Sequence, residues 1–125
     1  MKRIAVKIGS NVLTRKDGTL DVSQMSALVD QLAALHHEGY ELVLISSGAV
    51  ASGRSEVKVS KKLDAVSSRQ LYSAVGQAKL INRYYELFRD HGLRCGQVLT
   101  TKESFGSRIH YLNQKHCMEV MLENG

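Results

Sequence analysis

Glu41-Leu42-Val43-Leu44-Ile45-Ser46-Ser47-Gly48-Ala49-Val50-Ala51-Ser52-Gly53 is the stretch that decides the fold. Its first six residues are almost continuously apolar, as expected of a strand covered on both faces in a parallel sheet. The strand runs without a spacer into a glycine- and hydroxyl-rich turn, then into a short helix through Gly53. A strand that feeds a helix in this way is one half of an α/β unit.

Working outward toward the N-terminus, Arg3 to Ile8 (RIAVKI) reads as a first strand stopped by Gly9. A turn signal follows at Lys16-Asp17-Gly18. Asp21 then stands as an N-cap before Val22, Met25, Leu28, Val29, Leu32 and Leu35, which recur at helical spacing, and Gly39 closes that helix. Toward the C-terminus, residues 56–62 are polar, lack a period and read as a loop. From Asp64 onward Leu71, Val75, Ala78, Ile81, Tyr85 and Phe88 mark one long helical stripe, ended by Gly92. Residues 94–100 supply a third strand, weakened by Gly96. Ser107 caps a last helix with Ile109, Leu112, His116 and Val120 on one face, and Gly125 stands where a helix stop belongs.

The order is β-α-β-α-β-α, and strands alternating with helices imply parallel crossovers in a doubly wound, mostly parallel α/β sheet. Three strands make a thin sheet, and the last helix has no strand to lead into, so residues 1–125 read as the first part of a domain cut short. No repeat, linker or low-complexity segment interrupts them, and there is no proline.

The 125 residues, 43% of them hydrophobic, have the composition of a globular domain. The start has no apolar core of the length a signal peptide needs, and no apolar run is long enough for a membrane span. A soluble, cytoplasmic protein is expected. Cys95 and Cys117 lack the spacing of a metal knuckle or redox pair and read as two buried thiols. His36, His37, His91, His110 and His116 lack a spacing that would gather three ligands, so no metal site is expected from them. The net charge of +5 is scattered in singles and short pairs, without a basic stripe. Tyr72, Tyr84 and Tyr85 lie on a helix and read as core or interface residues, not a base-stacking platform. Nucleic-acid binding therefore ranks last among the readings.

In an open α/β sheet the ligand crevice lies beyond the C-terminal strand ends, which singles out the loops after Ile8, Ser46 and Thr100. In Lys7-Ile8-Gly9-Ser10-Asn11, an ammonium stands at the strand end, a glycine lets backbone amides approach a phosphate, and a hydroxyl adds a donor. In Ser46-Ser47-Gly48-Ala49 the start of a helix offers free amides and a positive dipole end. Two anion-friendly loops on neighbouring strands suit phosphoryl transfer, which depends on positioning and electrostatics. Each piece alone more often marks a turn or a solvated charge; it is the pairing that carries the inference. Residues 48–55 (GAVASGRS) fit the spacing of a P-loop, but Arg54 stands where the phosphate-binding lysine belongs, and that reading is rejected.

AVKIGSNVL at the start, SSGAVASGR after the second strand, QLYSAVGQAKLINRYYELF on the long helix and GQVLTTKESFGSRIHYLN further on together resemble the amino-acid-kinase superfamily, specifically its glutamate 5-kinase branch. The resemblance runs through the whole chain in order. It implies ATP-dependent phosphorylation of the glutamate side-chain carboxylate with Mg2+, the first step of proline biosynthesis, by a homo-oligomer that needs neither nucleic acid nor membrane. By that resemblance Lys7 stabilises the transferring phosphoryl group and Gly9 and Ser10 form the phosphate-side loop, while Ser47, Gly48 and Ala49 contact the amino acid. Asn11 departs from the serine common at its position. The nucleotide-binding half, the loop that grips glutamate and the RNA-binding-like C-terminal domain of some members have no counterpart in these residues, so the chain alone is expected to be inactive. The alternatives are a sister kinase for acetylglutamate, carbamate or uridylate, or a non-enzymatic anion-binding or assembly module.

Overall fold

The computed structural model describes residues 2–59 and 62–125. In order it contains β1 (Arg3–Ile8), α1 (Ser10–Leu13), α2 (Val22–His37), β2 (Glu41–Ser46), α3 (Ala49–Glu56), α4 (Ala65–Arg89), α5 (Glu103–Gly106) and α6 (Arg108–Glu123). β1 and β2 pair in parallel, in register from Arg3 opposite Glu41 to Ile8 opposite Ser46, with α2 as the crossover between them. The α/β class and the parallel pairing agree with the sequence. The loop expected over residues 56–62 includes Ser60 and Lys61, which lie outside the described residues.

Local chemistry sets the ends of α2. The Asp21 side chain accepts from the Gln24 N–H at 3.1 Å, satisfying one of the donors a helix start leaves free. At the other end the Gly39 N–H donates to the His36 carbonyl at 2.9 Å and the Tyr40 N–H to the Leu35 carbonyl at 3.3 Å. This paired closure turns on Gly39 at φ +103°, a conformation that costs glycine little. The chain leaves it directly into β2. The Lys16-Asp17-Gly18 turn also forms: the Gly18 N–H donates to the Arg15 carbonyl at 2.9 Å, and the Thr19 N–H to the Asp17 carboxylate at 3.0 Å.

The pairing register sorts the sheet into two faces. Val6, Ile8, Leu42 and Leu44 pack into a core with Met25, Val29 and Leu32 of α2 and Leu80, Tyr84 and Phe88 of α4. On the other face Lys7 stands beside Ile45, which is 52% exposed. Coverage on both faces, expected from the apolar run in β2, is therefore not found among the described residues. The helices that bury side chains pack on one side only.

Three further expectations are corrected. Residues 94–100 form no strand: they pair with neither outer edge of the two-stranded sheet, and a strand exists only where a neighbour completes its hydrogen bonds. Leu99 is 71% exposed there, and the segment is tied down by Gln114, whose amide donates to the Leu99 carbonyl at 3.3 Å and to the Thr100 hydroxyl at 2.9 Å. The buried face of α4 is Gly76, Leu80, Tyr84 and Phe88, one residue off the stripe expected through Ile81 and Tyr85. Cys95 and Cys117 are exposed, not buried. Ser107 does cap α6, accepting from the His110 N–H at 3.4 Å, but α6 buries no residue, and Ile109 is 70% exposed. Among the described residues no helix is long and apolar enough to cross a membrane.

Candidate functional site

The parallel register brings the ends of β1 and β2 side by side, and the two loops expected to carry chemistry leave from there. The Ser47 N–H donates to the Ile8 carbonyl at 3.0 Å, extending the ladder by one bond. Gly9 follows Ile8 and precedes the single turn of α1, which begins at Ser10. Gly48 follows Ser47 and precedes α3, which begins at Ala49. Lys7, Gly9 and Ser10 thus share one end of the sheet with Ser47, Gly48 and Ala49. The third loop, after Thr100, does not join them, because residues 94–100 are not part of the sheet.

Exposure divides these residues into two groups. Lys7, Ser10 and Ser47 are exposed, whereas Gly48 is buried. Gly48 adopts φ +120°, and a Cβ there would lie 3.5 Å from Leu80 Cδ1, 3.6 Å from Leu20 Cδ1 and 3.7 Å from Leu13 Cδ1. The backbone at the start of α3 is therefore pressed onto the core while Ser47 faces outward. No side chain caps the first turn of α3, so its N–H groups and the positive end of its dipole stay available to an anion. α1, being one turn long, offers no comparable dipole; Gly9 and Ser10 stand at its start.

α4 holds the second loop from below. A Cβ on Gly76 would overlap the Ala49 carbonyl oxygen and the Gly53 nitrogen, and one on Gly53 would overlap the Tyr72 carbonyl oxygen. These two glycines let α3 and α4 cross backbone to backbone. Two turns along α4, Tyr84 is 4% exposed, with its phenol oxygen 2.6 Å from the Ser46 hydroxyl. Burial pushes the Tyr84 phenol above its ordinary value, with the Ser46 hydrogen bond opposing the shift. Sequence reading named Ser46 in the second loop and Gly53 in the helix that follows it, but missed Gly76 and Tyr84 as site-forming residues. The signal that was available was the four-residue spacing of Gly76, Leu80, Tyr84 and Phe88.

Among the described residues no three His, Cys, Asp or Glu side chains gather into a metal-binding group. The site is one of amides, hydroxyls and an ammonium, suited to anionic oxygen atoms.

The model of the amino acid kinase family matches residues 2–125. A protein named glutamate 5-kinase from Bacteroides thetaiotaomicron is 75% identical over 123 residues, covering 98% of this chain and 34% of the relative. One of the same name from Chlorobaculum tepidum is 44% identical over 98% of this chain and 34% of its own length. Another, from Pelobacter propionicus, is 39% identical over 100% and 34%. The chain thus spans about a third of the length of the curated relatives it matches. A parallel β-α-β unit whose two strand ends carry the glycine and hydroxyl loops, matched by the family's model along nearly its full length, makes this chain a member of the amino acid kinase family.

Proposed function

We propose that the protein carrying this chain transfers the γ-phosphoryl group of ATP to the side-chain carboxylate of glutamate, giving an acyl phosphate and ADP on the route to proline, in the cytoplasm. The observation that carries this reading is the 75% identity to a glutamate 5-kinase over 98% of the chain. The adjacency of the two anion-friendly loops supports it.

In this reaction a glutamate carboxylate oxygen forms a bond to the γ-phosphorus while the bond to the β,γ-bridging oxygen breaks, and ADP leaves with that electron pair. The acceptor is already ionised near neutral pH, so no base is needed to remove a proton. What the protein must supply is alignment and stabilisation of charge on the transferring group. Lys7 at the end of β1 supplies positive charge there, and Gly9 and Ser10 approach the phosphate oxygens. The Ser47 hydroxyl and the backbone of Gly48 and Ala49 hold the amino acid. Among the described residues no three His, Cys, Asp or Glu side chains gather to hold the Mg2+ that the family reading pairs with ATP.

The test is glutamate-dependent ADP release by the full-length protein. Lys7→Ala should lower kcat by roughly a hundredfold or more, the scale of losing one preorganised charge partner, with unchanged thermal stability. Near-normal turnover in the variant would remove Lys7 from the mechanism. ADP release with acetylglutamate, carbamate or UMP in place of glutamate would reassign the substrate.

A further inference from the structure

Three residues of α4, spaced four apart, lie beneath consecutive parts of the second loop. Gly76 meets the Ala49 carbonyl, Leu80 meets Gly48, and Tyr84 meets Ser46. The first two contacts are steric or apolar; the third is polar and directional. The Ser46 hydroxyl lies 2.8 Å from the Ser47 carbonyl, to which it can donate. Its oxygen also lies 2.6 Å from the Tyr84 phenol oxygen, a hydrogen bond in which either hydroxyl can donate. The result is a chain of hydrogen bonds linking Tyr84, Ser46 and the Ser47 carbonyl.

We infer that Tyr84 is a positioning residue for the carboxylate-bearing substrate: its phenol fixes the Ser46 hydroxyl, and through it the peptide that presents Ser47 and the start of α3. This rests on the proposed role of that loop in holding the amino acid. Tyr84 can serve as a fixed anchor because its ring is packed in the core, stacked near Phe88 with centroids 6.4 Å apart and planes at 26°. Burial favours the neutral phenol, the form that can donate. The loop it anchors is exposed at Ser47, so without the anchor the peptide between Ser46 and Gly48 has fewer restraints on its orientation.

Steady-state kinetics of the full-length protein test this with Tyr84→Phe, Ser46→Ala, the double variant, Ser46→Thr and Tyr85→Phe as a control. Tyr84→Phe and Ser46→Ala should each raise the KM for glutamate roughly threefold to tenfold, the scale of one net hydrogen bond, and leave the KM for ATP unchanged. The double variant should be no worse than either single, since both cut one chain. Ser46→Thr keeps the hydroxyl and should restore the parent value, and Tyr85→Phe should match the parent. An unchanged glutamate KM in both single variants, an equal rise for ATP, or effects that multiply in the double variant would overturn the inference. If the parent releases no ADP with glutamate, the functional reading fails separately. The melting temperatures of the same proteins then decide the hydroxyl chain: losses that add in full overturn it, and losses that do not add support it.

Discussion

Gly76 bears more of the site's geometry than its lack of a side chain suggests. Its Cα lies against the backbone of α3 where a Cβ would overlap the Ala49 carbonyl and the Gly53 nitrogen. Backbone cannot rotate aside as a long side chain can. Gly76→Ala should therefore destabilise by about 3 kcal/mol, the upper end of the usual overpacking range, despite alanine's better helix propensity. Urea unfolding beside a Gly106→Ala control, where nothing lies within 4 Å of the added methyl, checks this. A loss as small as the control's would mean that the two helices separate easily. Single residues with local roles were legible from sequence: Asp21 as a cap, Gly39 as a stop and Gly9 as the end of a strand all follow from short-range rules. Gly76 was not, because the pressure on it comes from a helix more than 20 positions earlier in the chain.

At the scale of elements, α4 depends on its first turn. Asp64 accepts from the Ser67 N–H at 2.7 Å, and that bond, from the backbone first, holds its carboxyl below the ordinary aspartate value. Protonation is thus harder in the folded chain than in the unfolded one. The stability Asp64 contributes is complete above the ordinary aspartate range and is lost as pH falls through the lower, folded-state value. Asn caps about as well but binds no proton. Asp64→Asn should stay near the parent's melting temperature at neutral pH and fall less steeply below about pH 4; parallel curves for the two proteins would show that the cap carries no such linkage. The burial face of α4 was misread because Leu80 and Ile81, then Tyr84 and Tyr85, are apolar neighbours that fit a helical period equally well. The tertiary crossing at Gly53 and Gly76 selects between them. Residues 94–100 have strand-like composition, but composition does not make a segment pair, and these residues join neither edge of the described sheet. The loops at the strand ends were readable because the parallel order dictates where they meet. The Ser46–Tyr84 contact, spanning 38 positions, leaves no local pattern.

For the molecule as a whole, the unequal covering of its surfaces is the main physical fact. One face of the sheet is sealed by α2 and α4, while Ile45 on the other face and Leu99, Phe105, Ile109 and Leu112 further along the chain remain exposed. Apolar area gathered on α6 and its approach is unusual for a monomer in water. The 125 residues prepared alone should therefore self-associate, with a scattering mass at least twice that of the monomer, and Ile109→Lys with Leu112→Lys should reduce it. A parent chain that scatters as a monomer would show that this surface is tolerated as it stands.

The sealed side of the sheet also bears on how the protein is made. Among the described residues the buried core runs from Ile8 to Phe88, and it and both loops precede α5 and α6 in the chain. A nascent polypeptide can therefore close the crossover and seat the Ser46–Ala49 turn on α4 while the ribosome is still adding later residues, at about 5–20 per second. With no proline in the sequence, no isomerisation lasting tens of seconds stands in the way. The loops at the strand ends can thus be in place before the rest of the polypeptide has left the exit tunnel.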